Sequence, residues 1–452
     1  MQNDHLCACS FGGSVVSLKQ RMRHSGGEGC PLALTDRSET RCFCGKVDAA
    51  KGWITNLVVD KVKKLVPAYQ LPQAIPFKNV LRRGAGQVIR PLTTSLDDTA
   101  VLQYTGGTTG LPKGAMLTHG NLIANMQQLR ACLSQHGPDG QPMLKDGREI
   151  MIGPLPLYHI YAFTANCMGM MVTGNHNVLI TNPRDIKGFI KELKNWKFTA
   201  FLGLNTLFVA LMDHPDFKTV DFSGLKITNS GGTALVKATA ERWEKLTGCR
   251  IVEGYGLTET SPVASANPCG SLARLGTVGM PVPGTAMKVI SDEGVDLGLG
   301  ERGELCVKGP QVMKGYWQNP EATAEVLDAE GWFKTGDIAV IDPDGFVRIV
   351  DRKKDLIIVS GFNVYPNEIE DIVMAHTKVA NCAVIGVPDE RTGEAVKLFV
   401  VPRAGGVTVE ELKAYCKENF TGYKVPKQIV LRDALPMTPV GKILRRELRD
   451  TA

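Results

Sequence analysis

The chain has 452 residues, 43% hydrophobic and 22% charged, with a formal net charge of +6. That length exceeds what one hydrophobic core supports, so two or more domains are expected, and 48 Gly with 25 Pro indicate many turns without reaching low-complexity composition. The mild positive charge fits anionic small molecules or an acidic membrane surface. No basic stripe with interleaved aromatics points to nucleic acid; the nearest stretch, with Lys424, Lys427, Lys442, Arg445, Arg446 and Arg449, reads equally as a solvated helix.

Residues 1–50 lack hydrophobic periodicity and are expected to be poorly ordered. Five of the 12 cysteines crowd here (Cys7, Cys9, Cys30, Cys42, Cys44), but Cys-x-Cys is not the usual zinc spacing, so a stretch outside the fold is the preferred reading. The other seven are scattered, as reduced cytosolic thiols are. In 54–65, Ile54, Leu57, Val58, Val62 and Leu65 recur at helical spacing beside Lys61, Lys63 and Lys64, and Pro67 ends the pattern. The helix either packs on the domain or rests on lipid. No apolar run reaches the roughly 18–20 residues that span a bilayer, and the first residues are polar. A cytoplasmic location, compatible with peripheral contact on the inner membrane face, is expected.

From Thr99 the chain alternates. Val101–Tyr104 reads as a strand, Asn121–Cys132 as a helix, Phe198–Leu202 as a strand and Ala234–Leu246 as a helix. This argues for a parallel or mixed sheet covered by helices. Between Thr277 and Val350 short strands are split by Gly, Pro and Asp turns, which suggests a β subdomain. The charged run Asp351-Arg-Lys-Lys-Asp355 marks a boundary before an α+β piece of domain size.

The strongest chemical signal is Tyr104-Thr-Gly-Gly-Thr-Thr-Gly-Leu-Pro-Lys-Gly114. Gly106, Gly107 and Gly110 let backbone N–H groups approach phosphate oxygens, Thr105, Thr108 and Thr109 add hydroxyl donors, and Lys113 adds charge. Lys113 is followed by Gly114 rather than Ser or Thr, so this is not a Walker A loop. Downstream come Asn229-Ser-Gly-Gly-Thr-Ala-Leu235, Gly254-Tyr-Gly-Leu-Thr-Glu-Thr-Ser-Pro262, Gly331-Trp-Phe-Lys-Thr-Gly-Asp337, Val350–Asp355 and Pro436–Arg446. A carboxylate beside a threonine in a glycine-flexed turn suits a magnesium ion bridging phosphates. Taken alone, Asp337 reads equally as a turn cap and Lys442 as a surface charge.

These stretches, in this order, resemble the signatures of the adenylate-forming (AMP-binding) superfamily, and those at 331–337 and 350–355 are most similar to fatty-acyl-CoA ligases. The resemblance runs from about Lys51 to the end. It implies an α/β fold: a large N-terminal domain of helix-covered sheets with a β subdomain (51–350) and a small mobile α+β C-terminal domain (351–452). It also implies ATP, Mg²⁺ and coenzyme A, a long-chain fatty acid as substrate, and compatibility with a homodimer. By resemblance the 104–114 loop holds phosphates, Thr108 and Glu259 serve the metal, and Thr258 touches the α-phosphate. Tyr255 stacks on adenine beside Gly256, and Gly231, Gly232 and Thr233 line the adenine pocket. Asp337 with Arg352 takes the ribose hydroxyls. Lys442 reaches the α-phosphate and substrate carboxylate, Lys354 maps to a hinge, and Gly361 reaches the pantetheine channel after rotation. His159 positions substrate, Phe163 matches an aromatic gate, and Gly169, Gly203 and Gly231 leave room for an acyl chain.

The implied reaction joins the carboxylate to the α-phosphorus of ATP and then passes the acyl group to the CoA thiol; neutralising two anions dominates the first barrier. Relatives carry a longer segment before the phosphate loop. The usual start of the first domain is therefore expected to be missing, with residues 1–50 arising from a misplaced start or frame slip. An inactive fragment and a 4-coumarate-type acid–CoA ligase are the alternatives.

Overall fold

The computed structural model describes residues 16–18, 54, 57–62, 64, 72, 74–88, 93–105, 112–134, 142–269, 272–438 and 441–451. Its largest sheet has eight strands, in the order 16–18, 176–179, 150–153, 200–203, 227–230, 251–256, 263–266 and 280–281. The central five are parallel and the outer pairings antiparallel, so the expected mixed sheet is observed. Parallel strands are covered on both faces, which is why Ala200–Gly203 is a continuous buried run. Phe189, Phe198, Phe201, Phe208, Phe217 and Trp243 fill the core beneath it, all 1% exposed or less.

The expected helices sit within a few residues of their sequence limits. His119–Leu133 begins in a capping box, where the Thr118 hydroxyl accepts the Asn121 N–H and the Asn121 amide oxygen accepts the Thr118 N–H. Lys237–Thr247 ends at Gly248, whose φ of 72° closes the last turn. Asp185 and Thr408 cap Ile186–Leu193 and Val409–Asn419 in the same way as other short polar N-caps.

The β part is a four-stranded antiparallel meander, Ala286–Ile290, Arg302–Lys308, Phe333–Ile341 and Val347–Arg352. A separate hairpin, Thr99–Tyr104 with Gly114–Thr118, carries the phosphate-loop sequence at its tip. The last sheet (362–364, 357–359, 393–402 and 379–389, with 428–431 parallel to 393–402) encloses its own core around Ile369, Val384, Leu398 and Leu412.

Between these parts the charged run alternates its allegiance. Asp351 and Asp355 face the C-terminal elements: Asp351 accepts the Asn367 N–H (2.8 Å), and Asp355 pairs with Arg445 (3.3 Å) and Arg449 (2.7 Å). Arg352 and Lys353 face the meander, on Asp337 (3.1 Å) and Glu304 (3.0 Å).

Most of the 1–50 segment lies outside the described residues, as do all five of its cysteines; within it, Val16–Leu18 forms an edge strand on His176–Leu179. Of the expected helix at 54–65, Val58–Val62 is wound as a π-helix, and Ile54, Leu57 and Val62 are exposed rather than packed, while Leu65 falls outside the described residues.

Candidate active site

A single cavity of about 900 Å³ opens where the ends of the main-sheet strands, the meander and the C-terminal turn at 438–442 converge. This is within the range of small-molecule sites. Its polar end draws on stretches far apart in sequence: Thr105, Gly231, Gly232, Tyr255, Gly256, Thr258, Glu259, Arg352, Lys354 and Lys442. Its other end is apolar, with Leu129, Leu133, Leu144, Met151, Ala165 and Ala200.

The strand Ile251–Gly256 delivers Tyr255 and then breaks into the turn Thr258–Thr260. Gly256 is required there, because a Cβ would lie 1.9 Å from the Pro262 carbonyl oxygen. The Tyr255 hydroxyl donates to Asp337 (2.6 Å), which is 3% exposed, and the Arg352 guanidinium holds the other carboxylate oxygen. Strand register enforces this last pair, since Asp337 and Arg352 stand opposite each other in the meander. Burial, followed by the neighbouring carboxylate, pushes the Tyr255 phenol well above its usual range, so it remains a donor.

Glu259 accepts a hydrogen bond from the Tyr316 hydroxyl (2.7 Å), and its backbone carbonyl accepts the Met313 N–H. Among the described residues no three His, Cys, Asp or Glu side chains group as a metal cage. The Glu259 carboxylate, facing a cavity wide enough for phosphates, nevertheless suits Mg²⁺, which keeps waters and takes few protein ligands.

Lys442 enters from the C-terminal turn. Its N–H bonds the Thr438 hydroxyl (3.0 Å), and Gly441, at φ 78°, packs against Leu204 and Thr206 of the large domain. The Lys442 side chain lies over Gly232, 3.5 Å from where a Cβ would stand. Withdrawal from water, with Arg352 nearby, lowers its pKa to about 8. His159 is also in the cavity: Nδ1 accepts the Tyr161 N–H (3.3 Å), and burial followed by the Lys442 charge lowers its pKa to about 4. The imidazole is thus neutral, with its proton on Nε2.

Gly106, Gly107, Thr108, Thr109 and Gly110 lie outside the described residues. Lys113 does not line the cavity but holds its ammonium 5.0 Å from the Tyr316 ring centroid. Thr233 sits behind the wall, its hydroxyl buried without a hydrogen-bond partner among the described residues. Gly361 occupies the exposed turn between 357–359 and 362–364, away from the cavity. Three acyl-site expectations need correction. Phe163 packs against the neighbouring core instead of lining the cavity. The space above Gly203 is filled by the Phe208 ring, 2.6 Å from a would-be Cβ, and that above Gly169 by Leu129. Only Gly231 borders the cavity, beneath the Tyr161 ring; the room for a chain comes from Ala165 and Ala200.

Tyr316 and Glu304 line the site and were not singled out by motif reading. The Gly315-Tyr-Trp317 triplet, an aromatic pair after a glycine, is the signal that was there to be read.

The model for the AMP-binding enzyme family matches residues 24–317, and that for the AMP-binding enzyme C-terminal domain matches 368–442. A long-chain-fatty-acid–CoA ligase from Salmonella typhimurium is 52% identical over 90% of this chain and 71% of its own length, and one from Yersinia pestis is 53% identical over the same shares. A feruloyl-CoA synthase from Amycolatopsis is 38% identical over 79% of this chain and 71% of its own. Among solved structures, ATP-bound MatB from Rhodopseudomonas palustris superimposes with a TM-score of 0.74 at 31% identity, covering 82% of this chain and 72% of that one. The chain therefore belongs to the AMP-binding enzyme family.

Proposed function

We propose that the chain activates a long-chain fatty acid with ATP, through acyl-AMP, and transfers the acyl group to coenzyme A. One observation carries this reading: Thr258, Glu259, Arg352 and Lys442, from three separate stretches, share one cavity of about 900 Å³ with apolar residues such as Leu129, Met151 and Ala165. The 52% identity to long-chain-fatty-acid–CoA ligases supports the substrate class.

The substrate carboxylate and the α-phosphate are both anions, so the first step depends on positive charge placed before they meet. Lys442 supplies it at the polar end, and neutral His159 presents its Nε2 proton without adding repulsion toward Lys442. Asp337, fixed by Arg352, is the acceptor for ribose hydroxyls, with Tyr255 as the adenine platform. The 104–114 loop, through Thr105 to Gly110 and Lys113, is assigned the phosphates, with Gly231, Gly232 and Thr233 behind the base. Glu259, together with Thr108, would hold Mg²⁺, which when bound neutralises phosphate charge. For the second step Lys354 is the assigned hinge and Gly361 the residue brought to the pantetheine channel. A small unit on one charged linker pivots at low cost.

The exposed Val80 and Leu81, on the same helix as Arg82 and Arg83, and the exposed Ile54 and Leu57 support a peripheral contact with an anionic membrane, which sedimentation with anionic vesicles reads out. A homodimer is the remaining assignment, measured as the mass in solution.

The test is acyl-CoA formation across a panel containing palmitate, octanoate, coumarate and ferulate. Preference for palmitate is expected. The similarity to a feruloyl-CoA synthase makes preference for an aromatic acid the second reading, and that result would replace the first.

A further inference from the structure

We infer that Tyr316 is a positioning residue that ties the metal carboxylate Glu259 to the phosphate-loop hairpin. The inference rests on the nucleotide reading above and adds a residue to it. Tyr316 is 7% exposed and borders the cavity. Its hydroxyl donates to Glu259 Oε1 at 2.7 Å, leaving the other carboxylate oxygen for a cation.

The backbone around it is stitched to the strand that follows the loop. Trp317 N–H donates to the Gly114 carbonyl (2.8 Å), Met116 N–H to the Gly315 carbonyl (2.9 Å) and Lys314 N–H to the Met116 carbonyl (3.0 Å), with Ala115 bridged to Tyr316. The Tyr316 N–H is itself held by the Thr323 hydroxyl (2.9 Å). One residue before Lys314, Met313 N–H binds the Glu259 carbonyl (2.8 Å), so the segment grips both the main chain and the side chain of Glu259. The opposite attachment is electrostatic: the Lys113 ammonium lies 5.0 Å from the Tyr316 ring centroid.

One side chain thus contacts the only loop cation on one side and the metal carboxylate on the other. A carboxylate free to rotate would lose the orientation a small, geometrically strict cation demands. Tyr316 fixes it with a donor that carries no charge, leaving the full negative charge of Glu259 for the metal.

Tyr316→Phe separates the two contacts, because it keeps the ring beneath Lys113 and removes the hydroxyl. Binding of Mn²⁺ in the presence of ATP, followed by electron paramagnetic resonance, should weaken about 10-fold, the lower end for loss of an outer-shell partner. AMP, which needs no metal, should bind as to the wild type. In the Glu259→Gln background the same substitution should cost nothing further. Unchanged Mn²⁺ affinity, or losses that multiply in the double variant, would overturn the assignment. A wild type that binds AMP but takes up no Mn²⁺ with ATP would remove the metal site and Tyr316's role with it; failure to bind AMP strikes the nucleotide reading beneath both.

Discussion

Lys442 and His159 face the same cavity, and the charge of the lysine opposes protonation of the imidazole. The Lys442 charge adds to burial in holding His159 near pKa 4, and burial with Arg352 lowers Lys442 itself to about 8. Only the lysine titrates within the working range. Its charged form, the one the first step uses, is present below about pH 8 and is lost above it. For adenylation by the free enzyme, kcat/KM should fall through an alkaline limb near pH 8, with no acidic limb from His159 above pH 5. Lys442→Arg should carry that limb beyond pH 10, since guanidinium does not deprotonate there. A limb still at pH 8 in that variant would assign it to another group.

Lys442→Ala should abolish acyl-AMP formation while sparing thioester formation from supplied acyl-AMP. Loss of a single preorganised charge contact of this kind costs about 10²–10³ in rate, so the two half-reactions should separate clearly. Equal loss in both would mean that the turn at 438–442 is needed for folding rather than for the first step.

Glu253, 8% exposed within the 251–256 strand, has a pKa raised to about 7 by burial, partly offset by the Gly276 and Leu235 N–H groups. A carboxyl raised on folding binds more protons in the folded chain than in the unfolded one. Its contribution to stability is therefore intact below its unfolded value of 4.5 and is lost as pH rises through 7. Glu253→Gln should stabilise the protein by about 1–2 kcal/mol at pH 8 and leave it unchanged at pH 4, measured by urea unfolding. A gain of the same size at both pH values would show that ionisation is not the cause.

Arg445 bridges Glu370 (2.8 Å), Asp355 (3.3 Å) and the Asn367 side chain (2.9 Å) inside the C-terminal unit. Removing it leaves the largely buried Glu370 carboxylate without its counter-charge and Asp355 with Arg449 alone, so Arg445→Ala should cost about 3–5 kcal/mol. Hydrogen exchange should localise the loss to residues 351–451. A uniform loss reaching the Phe201–Trp243 core would contradict this separation of cores.

Much of this was legible in the sequence because each motif joins a residue type to a turn that only glycine permits. Gly256 marks the break after Tyr255, and the register Asp337–Arg352 follows from two strands whose limits are written in their apolar runs. What stayed hidden depends on long-range packing. Gly203 looks like space for a ligand until the Phe208 ring is seen to occupy it, and Phe163 looks like a gate until it is found packed against the core. The Gly315-Tyr-Trp317 triplet marks Tyr316 but not its role, since its partner Glu259 is 57 residues away in sequence. The exposed faces of Ile54 and Val62 were likewise beyond periodicity, which fixes a stripe but not what covers it.

Ala165 and Ala200 are the small residues at the apolar end of the cavity. Ala165→Leu should shorten the accepted chain: kcat/KM for palmitate should fall about 10-fold or more relative to octanoate, with the KM for ATP unchanged. An equal fall for both acids would place the acyl chain elsewhere.

Fatty-acid-dependent exchange of radiolabelled pyrophosphate into ATP, measured on the purified chain without coenzyme A, tests the central claim most directly. Exchange that requires both palmitate and Mg²⁺, and that disappears in Lys442→Ala, is the predicted result. A folded protein that binds ATP yet shows no palmitate-dependent exchange would contradict it.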